Sequence, residues 1–163
     1  MASGLSLANG RLDGMIKIRK AKSSDSERIV ELQLRMAKET EGMDLNRDVV
    51  SKGVSGVFQE SSRGTYWVVA EKGEVLGVLL AIPEWSDWRN GTVLWIHSLY
   101  VVPEARGRGV FKKLYLNLKE QVEKTPELVG LRLYVDKKNK SAQKIYEKLG
   151  MSKDHYELYE WLK

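Results

Sequence analysis

Leu94–Leu118 reads LWIHSLYVVPEARGRGVFKKLYLNL, and this stretch decides the architecture. Trp95 to Val102 is a dense run of aromatic and β-branched residues, which predicts a buried strand. Pro103 ends it, and Arg106-Gly107-Arg108-Gly109 forms a turn. From Val110 the apolar positions Val110, Leu114, Leu118 and Val122 recur at helical spacing among Lys112, Lys113, Lys119 and Glu120, which predicts an amphipathic helix. A strand feeding a glycine-rich turn at a helix start suits an anion. The first helical N–H groups have no partner within the helix, and the helix dipole adds partial positive charge there. Gly107 and Gly109 let the backbone bend sharply and a phosphate approach, while Arg106 and Arg108 bring forked donors. The spacing is neither a P-loop, since no GK[ST] follows, nor a dinucleotide GxGxxG, since position 112 is Lys.

The wider run LYVVPEARGRGVFKKLY resembles motif A of the GCN5-related N-acetyltransferases (GNAT), whose pattern is [RQ]xxGx[GA] after a strand ending in LYV-x-P. Arg106 and Gly109 fit it, whereas Phe111 stands where the pattern has Gly or Ala. We expect the Phe111 side chain to turn partly inward, leaving its backbone N–H available. A Phe111 that covered the turn would weaken cofactor binding. A second string, NKSAQKIYEKLGM, is similar to the family element NxxAxxxYxKxGF, with Met151 for the usual Phe. Asn139, Ala142 and Tyr146 share one face of that last helix.

The remaining chain agrees in order. Residues 15–21 alternate as a first strand, and Ser24 or Asp25 can cap a helix with Ile29, Leu32 and Met36 inward. A second helix opens near Asn46, with Val50, Val54, Val57 and Phe58 inward; Gly53 and Gly56 weaken it, so it is either a lid over a cleft or a poor surface helix. Residues 65–71 and 74–82 form a hairpin about Lys72-Gly73. The connection EWSDWRNG carries Trp85 and Trp88, which either cover the edge of the core or wall a substrate pocket. A strand follows at 130–136, then a helix at 139–149 stopped by Gly150, then a final strand near 155–162. Residues 1–14 read as a flexible tail without the pattern of a secretion signal, and 15–163 as one domain. The expected fold is the GNAT α/β fold, a mixed central sheet of six or seven strands with helices on both faces.

The composition excludes several classes. With 163 residues, 42% hydrophobic and 30% charged, the chain is globular and has no apolar run long enough to span a membrane. Cys 0 rules out disulfides, thiolate metal sites and a cysteine nucleophile, and makes cytoplasm the expected compartment; His 2 leaves no histidine-rich metal site. The net charge of +5 admits nucleic acid, but the basic residues are interspersed with acidic ones and a polyanionic cofactor explains them as well.

The resemblance implies transfer of an acetyl group from acetyl-CoA to a primary amine by direct attack through a tetrahedral intermediate, with no metal. In that reading Arg106, Gly107, Arg108, Gly109, Val110 and Phe111 hold the CoA pyrophosphate through the turn. Backbone groups of Leu99, Tyr100 and Val101 receive the pantetheine arm and polarise the thioester carbonyl, their side chains packing as ordinary core. Tyr146 protonates the departing thiolate, the plain alternative being a core tyrosine. Asn139 bonds pantetheine, caps its helix, or does both. His97 on the central strand, or Glu84 at the end of its neighbour, is the candidate base. Glu84, Trp85 and Trp88 are the expected substrate residues. Glu41, Asp44, Glu84 and Asp87 around the expected cleft point to a small cationic amine or a lysine side chain. A non-catalytic CoA-binding sensor or scaffold of the same fold is the alternative. A homodimer could form through the final strand or a sheet edge, though no residue specifies one.

Overall fold

The computed structural model describes residues 16–163; the expected tail 1–14 lies outside the described residues. Strand β1 (Lys17–Lys20) leads into helices α1 (Ser26–Glu41) and α2 (Arg47–Gln59). Strands β2 (Thr65–Glu71), β3 (Glu74–Ser86) and β4 (Gly91–Val101) follow. Then come helix α3 (Val110–Lys124), strand β5 (Leu128–Arg132) and helix α4 (Lys140–Lys148). The strands lie in the order β1-β2-β3-β4-β5, antiparallel except for the parallel β4–β5 pair that α3 crosses over to make.

Local chemistry explains the elements. The β2–β3 turn places both Lys72 (φ 51) and Gly73 (φ 87) in the left-handed region, as a tight hairpin turn demands. Asn46 caps α2, its side chain accepting from Val49 N at 3.1 Å. Asp25 precedes α1 but its carboxylate reaches back, to Lys22 N at 2.7 Å and to both terminal nitrogens of Arg19 at 2.7 and 3.0 Å. That pairing holds the Asp25 carboxyl below its ordinary range and ties β1 to the start of α1.

Residues 66–70 of β2 and 78–81 of β3 are buried without a break. Successive strand residues point to opposite faces, so helices must cover both faces of the sheet. On one face Tyr66 meets Phe58 of α2, ring centroids 5.8 Å apart. On the other, Trp67 and Leu118 of α3 line a common cavity of ≈ 250 Å³, which holds none of the expected site residues. Ile29 and Leu32 of α1, Leu79 of β3, and Leu114 and Leu118 of α3 are completely buried. Burying side chains of this size contributes roughly 1.5–3 kcal/mol each.

Among the described residues the sheet has five strands, not six or seven. Residues 152–163 form no strand, and Tyr156, Leu158, Tyr159, Trp161 and Leu162 are exposed. Alternation specifies which side chains share a face, but a strand also needs a hydrogen-bonded neighbour. This segment is tied instead by side chains, Lys137 to Glu157 at 3.0 Å and Arg132 over the Tyr156 ring. Strand β3 runs on to Ser86, through Trp85, so the hairpin tip is only Asp87–Asn90. Strand β5 ends at Arg132 rather than 136, and Asp136 enters a turn that accepts from Lys138 N.

Candidate functional site

Two departures from regular sheet create the site. Strand β4 pairs with β5 only from Thr92↔Leu128 to Trp95↔Arg132. Beyond Trp95, β4 continues against β3, and among the described residues the other edge of residues 96–101 has no neighbouring strand. In the same segment β4 bulges. Val78 pairs with Tyr100 and Leu80 with His97, so Ser98 and Leu99 oppose the single residue Leu79. Ser98 takes φ 49, which a non-glycine residue seldom adopts. Bulge and splayed strands open a cleft of ≈ 170 Å³. Its β4 wall is Ile96, His97, Ser98 and Leu99; opposite stand Leu133 and Tyr134 after β5, and Tyr146 from α4.

Tyr146 is set by the way α4 ends. Gly150 takes φ 85, Gly150 N donates to Glu147 O at 3.0 Å, and Met151 N donates to Tyr146 O at 3.0 Å. This paired closure fixes the last turn, and Met151 packs against the core beyond it. Asn139 caps the other end, its Oδ1 accepting from Ala142 N at 3.0 Å. Burial pushes the Tyr146 phenol above its ordinary value, so it keeps its proton. Phe111 meets the Tyr146 ring edge-on with centroids 5.4 Å apart, and lies 6.3 Å from Tyr115. The half-buried Phe111 therefore packs between α3 and α4.

The glycine turn lies where β4 hands over to α3. Gly107 (φ 74) and Gly109 (φ 70) are both left-handed, and a Cβ on either would meet nothing within 4 Å. No side chain caps α3, whose first closing bond is Lys113 N to Gly109 O at 3.0 Å. The N–H groups of Val110, Phe111 and Lys112 thus have no acceptor inside the helix. The glycine before them has nothing within 4 Å of its Cβ position, and such an open helix start fits a phosphate. The arginines are differently employed. Arg108 forks onto Glu71 at 2.6 and 3.1 Å. Arg106 meets Glu39 of α1 at 2.6 Å, donates through Nε to Val101 O at 2.9 Å, and lies over the Tyr100 ring. The Tyr100 hydroxyl also donates to Glu39, at 2.8 Å. Arg106, then Tyr100, hold the Glu39 carboxyl below its ordinary value. Both guanidinium groups brace the turn against neighbouring elements; its backbone faces outward.

His97 stands in the cleft, half-buried, and burial lowers its pKa, so the ring is neutral near pH 7. The Tyr134 hydroxyl lies 3.4 Å from His97 Nδ1, and the two rings meet edge-on at 5.3 Å. Glu84 is committed elsewhere: Oε2 accepts from Trp95 Nε1 at 2.5 Å and Oε1 from Arg132 at 2.8 Å. A carboxylate with both oxygens so engaged is poorly placed to take a proton, and Glu84 does not line the cleft.

Trp85 and Trp88, expected at the substrate, do not line it either. Trp85 pairs across from Thr92, about 20 Å along β4 from Ser98. Both indoles are exposed, 64% and 88%, neither covering the core nor walling the cleft. The acidic residues expected there are dispersed: Asp44 pairs with Lys38 at 2.7 Å, and Asp87 accepts from Trp88 N at the hairpin tip. Sequence reasoning missed Tyr134, Ser98 and Glu39. Tyr134 falls within the strand expected at 130–136, whereas nothing local marks Ser98 as left-handed or pairs Glu39 with Arg106. Among the described residues no helix is long and apolar enough to cross a membrane.

Known proteins share this fold. No curated protein matches the sequence. A crystal structure of a possible acetyltransferase from Clostridium difficile 630 is 40% identical, with a TM-score of 0.85 over 91% of this chain and 97% of that one. The fold also matches, at 16% identity and a TM-score of 0.71 over 91% of this chain and 99% of the other, AAC(6')-Iy in complex with the bisubstrate analog CoA-S-monomethyl-acetylneamine. A ribosomal-protein-alanine N-acetyltransferase from Brucella melitensis biovar Abortus 2308 is similar in fold at 15% identity and a TM-score of 0.73, covering 91% of this chain and 100% of that one. Residues 26–151 match the Acetyltransferase (GNAT) family, and with the glycine turn, the bulged β4 and α4 falling inside that span, the chain belongs to the GNAT acetyltransferases.

Proposed function

We propose that the protein transfers the acetyl group of acetyl-CoA to a primary amine in the cleft between β4 and β5. The observation that carries this reading is a convergence. The bulge at Ser98–Leu99, the unpaired edge of β4 and the Tyr146 phenol meet in one cleft, and that edge leads directly to the glycine turn. Acetyl-CoA supplies the electrophilic carbonyl and a thiolate leaving group. The N–H groups of Val110, Phe111 and Lys112, with Gly107 and Gly109, would hold its pyrophosphate. The open edge of β4 at Leu99–Val101 would pair with the pantetheine amides as an added strand does, and a backbone N–H at the bulge would polarise the carbonyl.

His97 accepts the proton of the attacking ammonium. It is the cleft's imidazole, and in the tautomer that carries its proton on Nδ1, beside the Tyr134 oxygen, Nε2 is the acceptor. Tyr146 gives its proton to the departing sulfur. A phenol is a weak acid, but it stays protonated at the pH where thiolate forms, and the desolvated cleft strengthens the donation. His97 takes one ammonium proton, the neutral amine adds to the carbonyl to give the tetrahedral intermediate, and its collapse breaks the C–S bond as Tyr146 protonates the sulfur; the second nitrogen proton restores the Tyr146 phenol through solvent, leaving amide, CoA thiol and the proton on His97.

Calorimetry with acetyl-CoA on the wild type and on Gly109→Trp tests the binding half. Release of free thiol with a panel of amines, with Tyr146→Phe as the control, tests the chemistry. Tight acetyl-CoA binding without thiol release for any amine would replace this reading by a CoA-binding module without turnover.

A further inference from the structure

Resting on the acetyl-transfer reading, we propose that the acceptor is a monoamine bearing a flat aromatic group, which lies against Tyr134 and Trp95 at the mouth of the cleft. The walls carry the argument. Among the described residues no carboxylate lines the cleft. Its exposed aromatic wall is Tyr134, 57% exposed, whose ring lies 5.3 Å from His97 in the cleft and 6.2 Å from Trp95, a neighbour outside the lining. An apolar void of about 150 Å³ holds a single benzene ring. A cleft of ≈ 170 Å³ therefore fills with the acetyl group and the amine-bearing carbons, and the rest of the acceptor must lie at the mouth.

Charge at the mouth favours the same class. Glu84, the carboxylate beside Trp95, is held by the Trp95 indole and by Arg132. The Arg132 guanidinium stands 5.8 Å from the Trp95 ring centroid. One ammonium can rest on the aromatic faces before it loses its proton. A second ammonium would find no carboxylate lining the cleft and would meet a Glu84–Arg132 pair whose charges already cancel, so a diamine loses solvation without compensation. A flat ring meets the Tyr134 and Trp95 rings in the offset or edge-on packing that aromatic pairs prefer.

The test compares 2-phenylethylamine with 1,4-diaminobutane, by calorimetry on the free and the CoA-saturated protein and by kcat/KM with acetyl-CoA. We expect 2-phenylethylamine to bind about tenfold tighter and to be the better substrate by a similar factor. Tyr134→Ala should remove that preference and Tyr134→Phe should keep it, which separates ring contact from the hydrogen bond to His97. Equal or tighter binding of 1,4-diaminobutane overturns the inference, as does a preference that survives Tyr134→Ala. Failure to bind acetyl-CoA would overturn the acetyl-transfer reading instead, and the amine comparison on the free protein would still decide this one.

Discussion

Replacing Gly109 by alanine separates backbone strain from ligand binding, because the fold contains a matched control. Gly109 precedes α3 at φ 70, and Gly42 follows α1 at φ 67; a Cβ on either meets nothing within 4 Å. No clash adds to the conformational cost, so each substitution carries the penalty of an L-residue in the left-handed region, about 1–2 kcal/mol. Part of that is offset by the stiffer unfolded chain, leaving roughly 1 kcal/mol and a fall in thermal midpoint of about 2–4 °C. The two variants differ in what the methyl group faces. At Gly109 it stands at the N-cap, next to the Val110–Lys112 N–H groups that would hold the phosphate. Losing one or two hydrogen bonds to a charged phosphate, at about 1.5–3 kcal/mol each, weakens binding roughly 10- to 100-fold or more. Thermal unfolding by circular dichroism and acetyl-CoA titration calorimetry on the three proteins measure both effects. The variants should lose equal stability, and only Gly109→Ala should lose affinity. If Gly109→Ala binds acetyl-CoA within about threefold of wild type, the turn is not the phosphate site and the reasoning fails.

The remaining expectations concern the cleft and the β1–α1 junction. Tyr146→Phe keeps the ring packed on Phe111 and removes the proton donor, so kcat should fall about 100-fold with acetyl-CoA affinity unchanged, read by thiol release and calorimetry. His97 must be neutral to act as a base and burial lowers its pKa below 6.5, so kcat/KM should rise with pH to a plateau whose acid midpoint lies below 6.5. Tyr146, raised above 10, stays protonated across that plateau; a midpoint above about pH 7 in a pH–rate profile would exclude His97 as the base. Glu84→Gln should leave kcat within about threefold, because Glu84 already spends both oxygens on Trp95 and Arg132. A larger loss would return Glu84 to the chemistry. Asp25→Asn should cost about 1–2 kcal/mol in urea unfolding at neutral pH, since it weakens the Arg19 pair and the bond from Lys22 N. The folded Asp25 pKa is depressed, so its stabilisation is complete above the unfolded carboxyl value of about 3.9 and fades as pH falls through the folded one. The difference between Asp25→Asn and wild type should therefore vanish in acid.

Much of the architecture could be read locally. The hairpin about Lys72-Gly73, the start of α2 after Asn46 and the whole of α3 follow from turn chemistry, capping and periodicity within a few residues of each site. The 155–162 segment could not, because its alternation is real but pairing depends on an edge elsewhere in the chain. Arg106 and Arg108 were legible as charges beside a phosphate turn. Their partners, Glu39 and Glu71, are 67 and 37 residues away in the chain, and no spacing rule reaches that far.

The sequence by itself determined the strand–turn–helix frame, the family and the residue types available for chemistry. The RGRG turn and the Asn139–Tyr146 helix owe their conformations to the left-handed freedom of glycine, to capping and to helical periodicity, all short-range effects. The tertiary structure alone decided which of those residues meet. The bulge that turns Ser98 and the parting of β4 from β5 after Trp95 bring His97, Tyr134 and Tyr146 around one cleft. The same packing commits Glu84 to Arg132 and leaves Trp85 and Trp88 in solvent. Those outcomes depend on strand register and on ion pairs between distant segments, which exist only once the sheet has formed.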